Sequence, residues 1–246
     1  MRIAALTLAA LALSAAPARA EFVMCINGQG ISPPAGTTVP PHARLVYYVD
    51  QNLGTPQTVT ATIDGKAVAV KKTEVKAGPF KLVTVEIDSD RTGALGVKWD
   101  SRPAVPYRVK ARTMPSEVTG VIGRYQGRSR PSAFSDAFDG LAIRLPVDTP
   151  AVIGHIKVRH AGDDLWVTTD IAIITPAGET RPMIRVGQFD CAANIPLGMI
   201  ERGVDLEVSV TLLDGTTRPV RGLAPHLTLP TPLPPQPRAN PLLEPR

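Results

Sequence analysis

Two runs of alternating apolar and polar residues, 58–63 and 66–72, stand on either side of Asp64-Gly65. That pattern constrains this chain more than any other. An Asp-Gly pair supplies the positive φ at both central positions that a two-residue hairpin requires, and a period of two places one side of each run on a core. Similar runs recur along the chain at 43–49, 80–87, 94–99 and 105–111, with Asn, Asp, Gly, Pro or Ser clusters between them. Leu45, Tyr47 and Val49 fall on one face of the first of these. Short strands at this spacing predict an all-β sandwich of about ninety residues, and no helical period interrupts the first half.

The second half repeats the grammar, with strands expected at 151–159, 165–175, 180–186 and 204–213 and turns at Pro176-Ala177-Gly178 and Asp214-Gly215. Ile195 to Arg202 has Pro196 at its start and Gly203 just past its end, which suits one helical turn. Residues 131–148 align without a gap on 33–50, so that Ile143, Leu145, Val147 and Asp148 match Leu45, Tyr47, Val49 and Asp50. This register suggests tandem related sandwiches joined by a linker at 113–130, and one large tryptophan core for each, Trp99 and Trp166. The expected organisation is a leader at 1–20, a sandwich at 21–114, a second at 115–230, and a disordered Pro-rich tail at 231–246.

The opening stretch, Ile31-Ser-Pro-Pro-Ala-Gly36-Thr-Thr-Val-Pro40 leading into Leu45, resembles the start of bacterial Ig-like domains of exported and surface proteins. Those open Ser-Pro-x-x-Gly, reach a proline four residues on, and enter a long strand that ends in an aromatic followed by Ser-Glu-Pro. Here Tyr48-Val49-Asp50-Gln51 keeps the aromatic and the acid without the proline, and Tyr107-Arg108-Val109 resembles the closing Tyr-x-Val. The resemblance spans about 31–111. It implies an Ig-like or fibronectin-like sandwich serving as a spacer or adhesive module, and no catalytic residue transfers with it.

Residues 1–20 have Arg2, an apolar run from Ile3 to Ala16 and Ala18-Arg19-Ala20, the form of a cleaved export signal. An exported chain is expected to act in the periplasm, at the cell surface or outside the cell. The leader carries two basic residues and no acidic one, so the net charge of +5 falls to +3 without it. That balance and the export signal speak against nucleic acid as a partner, and no second apolar run is long enough to span a membrane. In an oxidising compartment Cys25 and Cys191 are expected to form a disulfide, the alternative being two buried thiols.

Signals for chemistry are few. Gly28-x-Gly30 runs into Ile31-Ser-Pro-Pro where a dinucleotide loop needs a helix. His155 and His160 are an odd number of positions apart on one strand, and His42 and His226 lie in Pro-rich segments. Ser129 lacks the last glycine of a nucleophile elbow. Asp88-Ser-Asp90 and Asp136-Ala-Phe-Asp139 read as turns more naturally than as calcium loops, and no cofactor or metal is expected. The segment 98–130 holds eight basic residues against two acidic ones, with Arg124, Arg128 and Arg130 as a candidate anion-binding set. The sequence thus predicts a non-catalytic structural or binding module whose partner is an envelope or surface protein or polysaccharide. Two rivals remain: a secreted hydrolase with its site between the domains, and an anion-binding surface protein. Pro232-Leu-Pro-Pro-Gln-Pro237 in the tail could dock in an aromatic groove.

Overall fold

The computed structural model describes residues 28–128, 137–176, 178–189, 192–224 and 226–227. The Asp64-Gly65 turn forms as the sequence requires, with φ of 48° and 75° at the two residues and β4 (Val59–Ile63) pairing antiparallel with β5 (Lys66–Ala77). With β1 (Gln29–Ser32), β2 (Thr38–Val39), β3 (Arg44–Asp50), β6 (Phe80–Asp88), β7 (Gly93–Trp99) and β8 (Val105–Val109) they make one eight-stranded sheet in the order β1-β3-β6-β5-β4-β7-β8-β2. Strand β5 is the corner: its start pairs with β4 and its remainder, Ala69 to Ala77, pairs with β6. The sheet therefore turns back on itself. Tyr47 on β3 meets Trp99 on β7, ring centroids 5.3 Å apart, and both are essentially inaccessible to solvent.

A second set of strands begins after Arg112. β9 (Val118–Thr119), β10 (Val121–Arg128), β11 (Ala137–Arg144), β12 (Ala151–His160), β13 (Val167–Ala172), β14 (Met183–Phe189), β15 (Ala192–Ala193), β16 (Val204–Leu212), β17 (Thr217–Arg221) and β18 (His226–Leu227) form two sheets, with helix α1 (Leu197–Glu201) between β15 and β16. One sheet is ordered β10-β11-β14-β15, the other β13-β12-β16-β17-β9 with β18 beside β16. Leu141, Ile143, Ile184 and Val186 on the first are buried, as are Val152, Ile156, Val158 and Val210 on the second. The chain is all-β, built of facing sheets.

Three sequence expectations are corrected here. Residues 113–130 are not a linker, since β9 and β10 lie in them. At Gly120 the chain passes from one sheet to the other between packed side chains; a Cβ there would sit 2.8 Å from Val220 and 2.9 Å from Ile143. The alignment of 131–148 on 33–50 is not structural: Asp50 ends a strand, whereas Val147 is 53% exposed and Asp148 has φ of 66° in a turn. Trp166 is not a core residue; it is half-buried, with the Arg159 guanidinium 4.7 Å above its ring. Large apolar rings do fill buried space in this region, but they are Phe138 and Phe189.

No strand pairing crosses from the first set to the second among the described residues, yet the buried apolar side chains of both form one connected cluster. The reason is visible in β3 and β6. Leu45, Tyr47, Val83 and Val85 face the interior of the first region, and Val46 and Leu82, on the opposite face, are buried too. Rings run across the junction in sequence: Tyr48 to Phe80 at 6.0 Å, Phe80 to Phe189 at 5.1 Å, Phe189 to Phe138 at 5.0 Å, and Phe138 to Tyr125 at 6.1 Å. Arg185 stacks over both Phe138 and Phe189.

Candidate functional site

Where the two regions meet, a cleft of about 640 Å³ opens between the end of β1, Tyr48 of β3, Arg112, the turn at Asp148 and the segment from Ile173 to Pro182. That volume suits a small ligand. Two of its ionisable side chains, Arg112 and Glu179, have partners in the fold. Arg112 donates to the carbonyls of Thr38 at 3.3 Å and of Asp148 at 2.6 Å, and so ties the first region to the second. Glu179 lies 3.9 Å from Arg144. A shallower groove of about 370 Å³ runs along the other side of the Val147-Asp148 turn.

A different set of residues has the order of an acid–base–hydroxyl triad. Asp170 on β13 stands directly opposite His155 on β12, with its carboxylate 2.7 Å from Nδ1. On the other side, His155 Nε2 is 2.7 Å from Thr211 Oγ1, which in turn is 3.3 Å from Thr217 Oγ1. The sequence gives His155 no adjacent partner; the pairing register of the β12–β13 hairpin supplies Asp170. Three partners in that order resemble an activated nucleophile. Thr211, however, is only 3% exposed, so its hydroxyl is out of reach of a substrate. Asp170 and Thr211 between them satisfy both imidazole nitrogens, because Thr211 can donate to Nε2 or accept from it.

Of the remaining histidines, His42 and His226 are exposed and His160 is half-buried. His42 has φ of 54°, with Nε2 2.8 Å from Asp90 and Nδ1 3.6 Å from Asp88; the hydrogen bond to Asp90 raises its pKa above the ordinary histidine value. The two aspartates considered as a calcium loop thus flank an imidazole, and no group of three or more side chains suited to a metal occurs among the described residues. His160 lies 3.1 Å from Arg202, and His226 shares Asp205 with Arg159. Asp205 is held below the usual carboxylate range by these bonds, His226 first and Arg159 second. Burial pushes the Tyr107 phenol well up, and its hydroxyl donates to the Pro33 carbonyl at 3.2 Å.

Of the anion-binding set, Arg124 is bound to both oxygens of Asp139 at 3.1 Å, and its side chain is 10% exposed. Arg128 ends β10, and Arg130 lies outside the described residues, as do Cys25, Cys191, the leader and the Pro-rich tail. Among the other basic residues of 98–130, Arg102 donates to Gln29 at 3.0 Å and lies over the Tyr47 ring. Lys98, Arg108 and Lys110 are exposed. No helix among the described residues is long and apolar enough to cross a membrane.

No protein-family model matches the chain, and no curated protein matches it. Solved structures do. A crystal structure of titin domains aligns at 10% identity, covering 78% of this chain and 63% of the other, with a TM-score of 0.22. The adhesin InvE of Yersinia pseudotuberculosis aligns at 12% identity over 82% of this chain and 58% of its own, with a TM-score of 0.21. The chain spans about three fifths of the length of each. At these TM-scores neither likeness carries an argument about fold or function.

Proposed function

We propose that this chain is an exported, non-catalytic binding module of the cell envelope or its exterior, built of two Ig-like sandwiches. The junction is the observation that supports this most. The aromatic series from Tyr48 to Tyr125 and the doubly buried strands β3 and β6 hold two β-regions in one relation. Strand faces and turns are left pointing outward, which is how rigid scaffolds present a recognition surface. Arg112 in the junction cleft ties the two regions together, and the one imidazole placed between a carboxylate and a hydroxyl has its hydroxyl buried. A bridge between Cys25 and Cys191 belongs to the same reading. The described residues nearest each cysteine lead to one place: Gly28 accepts from Asp50, Asp50 pairs with Phe80, and Phe80 packs on Phe189.

The rival is a hydrolase. Polysaccharide and peptide substrates incubated with the chain are expected to show no turnover. Turnover that His155→Ala abolishes would overturn the non-catalytic reading. N-terminal sequencing of protein recovered from its native cell is expected to begin at Glu21. A free-thiol assay on denatured, unreduced protein is expected to find none, and two titratable thiols would end the disulfide.

A further inference from the structure

The first region has one face that the second region does not cover. It is the outward side of β4, β7 and β8, where Thr60 and Thr62 alternate with buried Ala61 and Ile63, Lys98 with Val97 and Trp99, and Arg108 and Lys110 with Tyr107 and Val109. Strand pairing puts Thr60 beside Lys98, Thr62 beside Gly96, and Ala94 beside Arg108. The Lys110 amide donates to Val39, which keeps that residue in line with β8. The side chains of Lys98, Arg108 and Lys110 have no hydrogen-bond or ion-pair partner among the described residues. The carboxylates at the two ends of the face are already engaged: Asp64 accepts from the Ala94 amide at 2.9 Å, and Asp100 from the Thr58 amide at 2.8 Å and the Thr58 hydroxyl at 3.2 Å.

We infer that this face binds an acidic polysaccharide, with Lys98, Arg108 and Lys110 meeting its charged groups and Thr60 and Thr62 its hydroxyls. The inference rests on the binding-module reading and names the partner's class. Three cations unopposed across a sheet give charge complementarity to a polyanion. At about 3.3 Å per residue, Arg108 and Lys110 are ~7 Å apart along β8, and Lys98 is ~13 Å along β7 from the residue facing Arg108. Such wide spacing suits charges repeated along an extended chain. The chemistry of the face argues against other partners. None of the large exposed apolar side chains, Val75, Val121, Val147, Leu165 and Val167, lies on it, so it offers no anchor for a bilayer or for a protein hot spot. Its alternating residues include no aromatic ring on which bases would stack.

The test is binding of the full chain to immobilised polygalacturonate at low ionic strength. The variant Lys98→Ala/Arg108→Ala/Lys110→Ala is expected to bind at least about tenfold more weakly, with the unsubstituted chain losing affinity as salt rises. A control with the same loss of charge elsewhere, Arg181→Ala/Arg202→Ala/Arg221→Ala, is expected to stay within about twofold. All six positions are exposed, and circular dichroism checks that both variants fold. Equal weakening in the two variants would overturn the inference, because net charge alone would then account for binding. So would an unsubstituted chain that ignores polygalacturonate but takes up neutral dextran, polyglutamate or phosphatidylglycerol vesicles; that result leaves the binding-module reading standing. Cleavage of the polymer would overturn both.

Discussion

The two regions use the same strand-and-turn grammar and dispose of their charges in opposite ways. From Gly28 to Arg112 there are twelve Lys and Arg residues against seven Asp and Glu; from Thr113 to Leu227 there are eleven against thirteen. In the first region Arg44 is the one cation among those twelve with a carboxylate partner among the described residues, Glu86 at 3.4 Å. Lys72, Lys81 and Arg112 donate to backbone carbonyls. In the second region Arg124, Arg144, Lys157, Arg159 and Arg221 each have a carboxylate. The cores differ as well. The first is closed by one sheet folded over Trp99 and Tyr47. The second joins two sheets and leaves Phe138 and Phe189 on a face that Phe80 of the first region helps to cover. The lesson is that the first region carries its own large ring inside, whereas the second depends on a neighbour to bury its own.

That dependence predicts the largest effect. Phe80→Ala, at a side chain 2% exposed, removes the ring that bridges the regions and is expected to cost about 3–5 kcal/mol, as aromatic truncations in cores do. The Trp166→Phe variant keeps the core ring of Trp99, so its fluorescence reports the first region while circular dichroism reports the whole chain. The thermal transitions of the two signals are expected to coincide in the otherwise unsubstituted chain and to separate once Phe80 is Ala. Separate transitions with Phe80 intact would break the comparison, since the second region would then need no cover.

A smaller effect sharpens the contrast in charges. Asp139→Ala removes the carboxylate that accepts from Arg124 at a position where the arginine side chain is 10% exposed. Breaking a buried pair costs about 3–5 kcal/mol, and with Asp139 a third exposed the expected loss is about 2 kcal/mol. Glu86→Ala, which frees the more exposed Arg44, is expected to cost about 0.5 kcal/mol or less. Denaturant midpoints of the two variants compare them directly, and equal losses would remove the distinction between the regions.

The smallest effect is at His42, whose pKa is raised first by the hydrogen bond it donates to Asp90 and then by the neighbouring carboxylates. A pKa raised in the folded state stabilises the protein fully below the unfolded value of 6.5, and this is lost as pH rises through the folded pKa. Nuclear magnetic resonance titration of the imidazole should place its midpoint above the ordinary value, and Asp90→Asn should bring it down. An unchanged midpoint would show that Asp90 does not hold the ring.

Local rules settled much of the first region. Asp64-Gly65 determines its hairpin by backbone sterics, and the alternation in 43–49, 94–99 and 105–111 gives strands whose buried sides are Leu45, Tyr47, Val97, Trp99, Tyr107 and Val109. The helical turn after Pro196 was equally legible, since proline opens it and Gly203 follows it. Strand β10 was not, because Gly123, Arg124, Gln126 and Gly127 interrupt its apolar period, and the meeting of Arg124 with Asp139 depends on the pairing of β10 with β11. A sign of the junction did lie in the sequence: Leu82 and Val83 are adjacent, and a strand with one dry face has no use for both. What covers the second face was beyond any local pattern. Period and turn chemistry depend on neighbours along the chain, whereas the meeting of Phe80 with Phe189, of His155 with Asp170 and Thr211, and of Arg112 with the Asp148 carbonyl depends on register and sheet packing. Those are fixed only when distant segments fold against one another.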